Sequence, residues 1–328
     1  MVEFTRFLPP KLADELGKLA AQGQVNWWQE IQNNDNLHVA IREDYLSVYA
    51  NGQSVFKIAL AGNASSQTPL VMSTHYKYLL KPSVPSGKEY ATFDGLTFLM
   101  GGKPVNQADI VQQSYRPKAT ISELIRTAIG YSNPEKRGVH AIAKANPEVL
   151  DVEIAFRQVR EPEDPTKLAD GDNTAQSSLA AAAQRIDLAA LEDAGAGKAR
   201  LVFYEAKRFD DGRLWGAQPE VLKQLRGYDA FLKAKESRLK SAYESVCQGL
   251  VSLSRLRGAR PVPRLIEDVA AKRRDLIVDK VCRLIVFGFD QNQKDGRLTK
   301  LEQTLGSGRP ILKRGTPKGL KLRLPRAN

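Results

Sequence analysis

The chain is poor in the residues that build several common kinds of site. Two cysteines in 328 residues, Cys247 and Cys282, cannot form a disulfide framework, and with only three histidines no cluster has the spacing of structural zinc. Both cysteines read as core residues. No apolar run approaches the roughly 20 residues needed to cross a bilayer. The opening "MVEFTRFLPPKLADEL" has an early acid and prolines where a secretory signal would be basic and then uninterruptedly apolar. A cytoplasmic location without membrane insertion is therefore expected. No glycine-rich nucleotide loop or nucleophile elbow is found. Acidic residues are also short: 37 Asp and Glu face 49 Lys and Arg, a formal charge of +12. That excess favours a polyanion, nucleic acid first, as partner. Basic residues thicken in "SGRPILKRGTPKGLKLRLPRAN", where Arg309, Lys313, Arg314, Lys318, Lys321, Arg323 and Arg326 have no acid among them. This stretch suits a flexible arm along a phosphate backbone, or an ordinary tail.

What is present divides near residue 116. Up to there, after the helical "KLADELGKLA", the segments "LHVAIRED", "YLSVYANGQ" and "SVFKIAL" are rich in β-branched and aromatic residues and carry an Asn51-Gly52 turn signal. A further strand pair is expected in "YATFDGLTFLM". The region 1–116 reads as a β-rich module of unassigned role, open to a protein partner or to self-association. Trp27 and Trp28 are adjacent and serve either as core anchors or as base-stacking rings, the core role being the commoner.

From 117 to 328 helices and strands alternate, so a mixed α/β fold is expected: a mixed sheet flanked by helices, ending in the basic arm. "ATISELIRTAIGY" has helical spacing, with Thr120 and Glu123 in capping-box register. "VLDVEIAFRQV" alternates Leu150, Val152, Ile154 and Phe156 against Asp151, Glu153 and Arg157, the pattern of a half-buried strand. A long polar insertion, "REPEDPTKLADGDNTAQSS", leads to the strand "RIDLAALE". The strand "ARLVFYEAKRF", the helices "EVLKQLRGYDAFLKA" and "LKSAYESVCQGLVSL", and a last strand in "CRLIVFGFD" follow.

Along "ARLVFYEAKRF" side chains alternate, so Leu201, Phe203, Glu205 and Lys207 share a face. Charges at the end of an apolar face are costly unless paired, hydrogen-bonded or metal-bound. If this strand pairs with its predecessor as a hairpin, Asp187 joins them. Asp187, Glu205 and the Ala206 carbonyl then form an oxygen set suited to Mg²⁺, with Mn²⁺ as a substitute. Lys207 is placed to orient or help deprotonate a water and to offset charge on phosphorus. The plain alternative is an exposed ion pair at a strand end.

An Asp on one strand and Glu-x-Lys on the next resembles the PD-(D/E)xK nuclease superfamily. Gln224 and Tyr228 in "QLRGY" are similar to the Q-x-x-x-Y motif of its RecB-type members. The resemblance spans about residues 118–290 and implies a restriction-endonuclease-like core and a Mg²⁺-dependent phosphodiesterase acting on DNA. It also implies that Gln224 and Tyr228 support the active site and contact nucleic acid. Ile186 stands where the family often has Pro. Candidates for a further metal ligand are Glu123 and Glu153. An RNA-cleaving enzyme of the same fold, and a non-cutting nucleic-acid-binding or assembly subunit, are the alternatives. Phage defence, restriction and repair are the settings the resemblance implies.

Overall fold

The computed structural model describes residues 4–23, 25–61, 69–79, 90–100, 103–105, 114–155, 185–306 and 309–322. The polar insertion lies outside them, as do Phe156, Arg157, Arg323 and Arg326. Helix α1 (Pro10–Ala21) starts on a proline whose missing N–H is no loss in a first turn, and it buries Leu12, Leu16 and Ala20 at i, i+4, i+8. Helix α2 (Trp27–Asn33) opens with a capping box between Asn26 and Gln29 and buries both tryptophans. Both rings are core anchors, leaving no face for a base.

Seven antiparallel strands follow in sequence order: β1 (His38–Ile41), β2 (Leu46–Ala50), β3 (Gln53–Leu60), β4 (Leu70–His75), β5 (Tyr90–Phe93), β6 (Phe98–Met100) and β7 (Lys103–Pro104). The Asn51-Gly52 turn joins β2 to β3 with φ of 49° and 74°, the left-handed pair that a tight hairpin requires. Gly52 also has no room for a side chain, because a Cβ there would lie 2.7 Å from the Lys136 Cβ and 2.8 Å from the Lys136 carbonyl oxygen.

The remainder forms a six-stranded mixed sheet with helices, as expected from the alternation of apolar patterns. Helices α3 (Thr120–Gly130) and α4 (Pro134–Ala145) precede β8 (Val149–Ala155), β9 (Arg185–Gly195) and β10 (Lys198–Arg208). Then come α5 (Glu220–Ala234), α6 (Glu236–Ser254), α7 (Arg264–Ala270), β11 (Asp275–Val278), β12 (Arg283–Phe287), α8 (Thr299–Leu305) and β13 (Ile311–Arg314). β8, β9 and β10 form an antiparallel meander, and β12 and β13 continue from β10 in parallel. β11 pairs with the first part of β10 and β12 with the second, so one long strand borders two short ones. The two faces of β10 belong to two cores. Val202, Tyr204 and Ala206 pack in a cluster with Val139, Ile142 and Ala143 of α4, while Leu201 and Phe203 join a larger cluster with Leu225, Tyr228 and Tyr243 of α5 and α6.

Four expectations are corrected. Thr120 is the first residue of α3, not its cap; its Oγ1 accepts the Arg116 N–H, and Glu123 pairs with Arg126. Helix α4 was not anticipated. Asp151 does not face solvent: it is 1% exposed and held by Arg42, which follows β1, by Arg6 and by the Tyr243 hydroxyl, so the N-terminal module covers the face that alternation assigns to water. The basic C-terminal stretch is no free arm over 309–322. Its Ile311–Arg314 segment extends the sheet, Leu312, Leu320 and Leu322 are buried, Arg309 pairs with Asp229, and Lys313 pairs with Glu302 at 2.7 Å.

Candidate active site

The antiparallel register of β9 and β10 pairs Leu188 with Tyr204, so Asp187 and Glu205 stand one step further along, just past the last pair of that ladder. Asp187 Oδ2 accepts the backbone N–H of Ala206 at 2.7 Å. Glu205 is 1% and Lys207 2% exposed, so theirs is a buried pair and not the surface pair of the plain alternative. Lys207 Nζ donates to Glu205 Oε1 and, at 3.3 Å, to the Ala206 carbonyl. Gln224 and Tyr228, one turn apart on α5, both face this cluster. Gln224 Nε2 donates to Glu205 Oε1 at 2.8 Å and to Tyr228 Oη at 2.7 Å, and the Tyr228 hydroxyl donates to the Arg185 carbonyl. The helix therefore clamps the carboxylate of one strand and the backbone of the other.

A cleft of about 330 Å³ opens over these residues. Its remaining wall comes from the start of α4 and the end of β8. Asn133 caps α4 through Lys136 N–H at 2.8 Å, and this turn projects Glu135 and Lys136 into the cleft. Glu135 Oε1 lies 3.7 Å from Lys207 Nζ and 3.7 Å from Arg213, whose guanidinium is anchored on Asp211 at 2.6 Å. Glu153 falls between the Val152–Leu188 and Ile154–Ile186 pairs, opposite Asp187, with φ of 51°. Its carboxylate spans Lys136 at 3.8 Å and Arg185 at 3.6 Å. Of the two candidates for a further ligand, Glu153 lines the cleft and Glu123 does not; Glu123 is engaged with Arg126 on the outer side of α3. Sequence reasoning missed Glu135, Lys136, Arg185 and Arg213. The Asn133-Pro134 start signal would have exposed the first two; the arginines carry no pattern.

Burial, and then the charge of Glu205, hold the Asp187 carboxyl well above the ordinary carboxylate range. Burial also raises Glu205, against the opposing pull of Lys207. Desolvation disfavours the Lys207 ammonium, yet Glu205, Asp187 and Glu135 together hold its proton more tightly than in water. Lys207 is thus a fixed positive charge. Glu205 Oε2 is buried without a hydrogen-bond partner, an arrangement that costs roughly 1–3 kcal/mol unless a cation meets it. Two crowded carboxylates and an unsatisfied oxygen fit a hard divalent cation held by oxygen. The donor set is small: among the described residues no three His, Cys, Asp or Glu side chains converge as a metal-ligand group. Waters and substrate oxygens would complete such a shell, as is usual for Mg²⁺.

Comparison with protein-family models, curated proteins and solved structures finds no match for this chain. Among the described residues no helix is long and apolar enough to cross a membrane.

Proposed function

We propose that the chain is a divalent-metal-dependent nuclease of the PD-(D/E)xK kind that hydrolyses phosphodiester bonds, with DNA as favoured substrate. The observation that carries this reading is the convergence of Asp187, Glu205, Lys207, Gln224 and Tyr228 on one cleft. A structural ion pair has no need of the Gln–Tyr clamp or of an unsatisfied carboxylate oxygen.

Asp187 and Glu205 would hold Mg²⁺ or Mn²⁺, which when bound supplies Lewis-acid polarisation of the phosphate and a more acidic water. The chain's own residues do the positioning. Gln224 engages Glu205 Oε1 and leaves Oε2 without a protein partner, and Tyr228 fixes the Gln224 amide by accepting its second hydrogen bond. Lys207, held protonated, offsets negative charge growing on the phosphoryl oxygens and donates a hydrogen bond to the attacking water. Lys136, Arg185 and Arg213 at the rim offer charge to flanking phosphates.

The test is cleavage of plasmid, linear duplex, single-stranded DNA and RNA by the purified chain with Mg²⁺, with Mn²⁺ and with chelator. Metal-dependent cutting by wild type, lost in Asp187→Asn and Glu205→Gln, is the expected result. Cutting of RNA alone would keep the chemistry and move the substrate. Equal cutting by wild type and both variants would sink the reading.

A further inference from the structure

Where the N-terminal sheet meets the end of helix α3, a run of aromatic rings starts from the buried core ring of Tyr78 and reaches the surface on both sides. Tyr90 and Tyr131 are 61% and 49% exposed, unusual for large rings away from an interface. They end a continuous series in which Tyr131 meets Tyr78 at 5.8 Å between centroids, Tyr78 meets His75 at 6.1 Å, and His75 meets Tyr90 at 5.2 Å. The Lys77 ammonium sits 4.9 Å from the centroids of both Tyr78 and Tyr131. Among the described residues that ammonium is paired with no carboxylate. Partial burial, and then the charge of Lys136, set its proton affinity below that of an ordinary lysine.

The strip is tied to the cleft. Gln53 Nε2 donates to the Tyr131 carbonyl at 3.1 Å, and the Ser132 hydroxyl donates to the Asn51 carbonyl. The next residue, Asn133, lines the cleft, as does Lys136, the cation that Lys77 senses. Two exposed tyrosine rings with an imidazole and a lysine between them offer what unpaired nucleic acid requires: faces on which bases stack and a charge for a phosphate. A duplex hides its base faces and has little use for rings.

We propose that the strip of Tyr131, Lys77, His75 and Tyr90 binds an unpaired nucleic-acid strand and leads it to the cleft. This gives the N-terminal module a role and, in the destination of the strand, rests on the nuclease reading above.

Binding of labelled oligomers of about 15 nucleotides, a length within the reach of one such surface, is measured by fluorescence anisotropy in chelator so that nothing is cut. The arms are single-stranded DNA, single-stranded RNA and duplex DNA of equal length. Tyr90→Ala and Tyr131→Ala are each expected to weaken strand binding by about fivefold to a hundredfold, while duplex affinity stays within about twofold. Tyr131→Phe keeps the ring and should keep the affinity. Lys77→Gln should lower the salt slope on the strand by about 0.7. If Tyr131→Ala loses thermal stability through its contact with Tyr78, Tyr90→Ala and Lys77→Gln decide the matter.

The proposal is overturned if these variants bind strands like wild type, if strand and duplex affinity fall together, or if wild type binds neither strand. Tyrosine-dependent binding without any metal-dependent cutting would remove the nuclease reading and leave the strip. Cutting by wild type that the strip variants match on every substrate, with unaltered strand binding, would remove the strip alone.

Discussion

At the residue scale, Glu205 is asked to stay charged where water does not reach it. Lys207 answers that demand, and removing Lys207 alone leaves a buried carboxylate uncompensated, at a cost of about 3–5 kcal/mol. Lys207→Met should therefore destabilise the metal-free protein more than the double variant Glu205→Gln with Lys207→Met, which removes both charges. Urea unfolding in chelator measures the difference, and a double variant less stable than the single one would contradict the arrangement. In catalysis Lys207→Met should lower turnover by about 10²-fold or more, because the charge it fixes acts on the transition state. Metal linkage gives an independent reading of Asp187. If Asp187 and Glu205 bind Mg²⁺, wild type should gain about 2.7 kcal/mol at a hundredfold excess over the dissociation constant. Asp187→Asn should show no such dependence. Thermal melts across a Mg²⁺ series report it whether or not the substrate is known.

At the scale of elements, β13 and the residues behind it seal one face of the sheet. Deleting 309–328 removes buried Leu312, Leu320 and Leu322, a loss of roughly 5 kcal/mol in apolar burial. The expected outcome is a large drop in unfolding midpoint, so that a change in salt response after this truncation would report unfolding instead of lost phosphate contacts. The contact between β1 and β8 makes a pH-dependent contribution. His38 is half-buried near Asp151, His140 and Arg42, and desolvation, opposed by Asp151 and joined by His140 and Arg42, lowers its pKa from 6.5 to about 4. The unfolded chain takes up that proton first. Stability is full above pH 6.5 and falls as the pH drops toward about 4. His38→Gln should flatten that part of the profile in urea titrations at stepped pH; an unaltered slope would show that the imidazole is not the group responsible.

The same elements show what could be read from the sequence. Helix α5 was legible because Val221, Leu225, Tyr228 and Leu232 recur on one face, and the Gln224–Tyr228 spacing comes with it. The strand pair bearing Asp187 and Glu205 was legible because β9 and β10 are long, apolar and joined by a glycine-rich turn. Helix α4 was not, since Gly138 and charged residues dilute its apolar stripe; yet Gly138 is there because a Cβ would lie 2.2 Å from the Phe287 ring. Asp151 misled because alternation assigns one face of a strand to water, and only tertiary structure says that an arginine of the N-terminal module lies there. Arg185 and Arg213 reach the cleft from a strand start and a loop, where no periodicity announces them.

At the scale of the whole molecule, the charge of +12 is distributed, and its useful part is the basic side chains at the rim of the cleft, Lys136, Arg185 and Arg213. Binding of duplex DNA should weaken steeply with salt, and Lys136→Gln should reduce the slope of log affinity against log salt by about 1. Anisotropy titrations over a salt series check it; a slope indifferent to Lys136 would move the phosphate path elsewhere.

The meeting of Gly52 with Lys136 has an evolutionary consequence. A Cβ at position 52 would strike the root and backbone of Lys136, so the β2–β3 turn and the start of α4, which also bears the wall of the cleft, meet with no flexible atoms between. A side chain at position 52 therefore has to be matched by a change at the start of α4, which ties the sequence of this turn to that of the cleft wall.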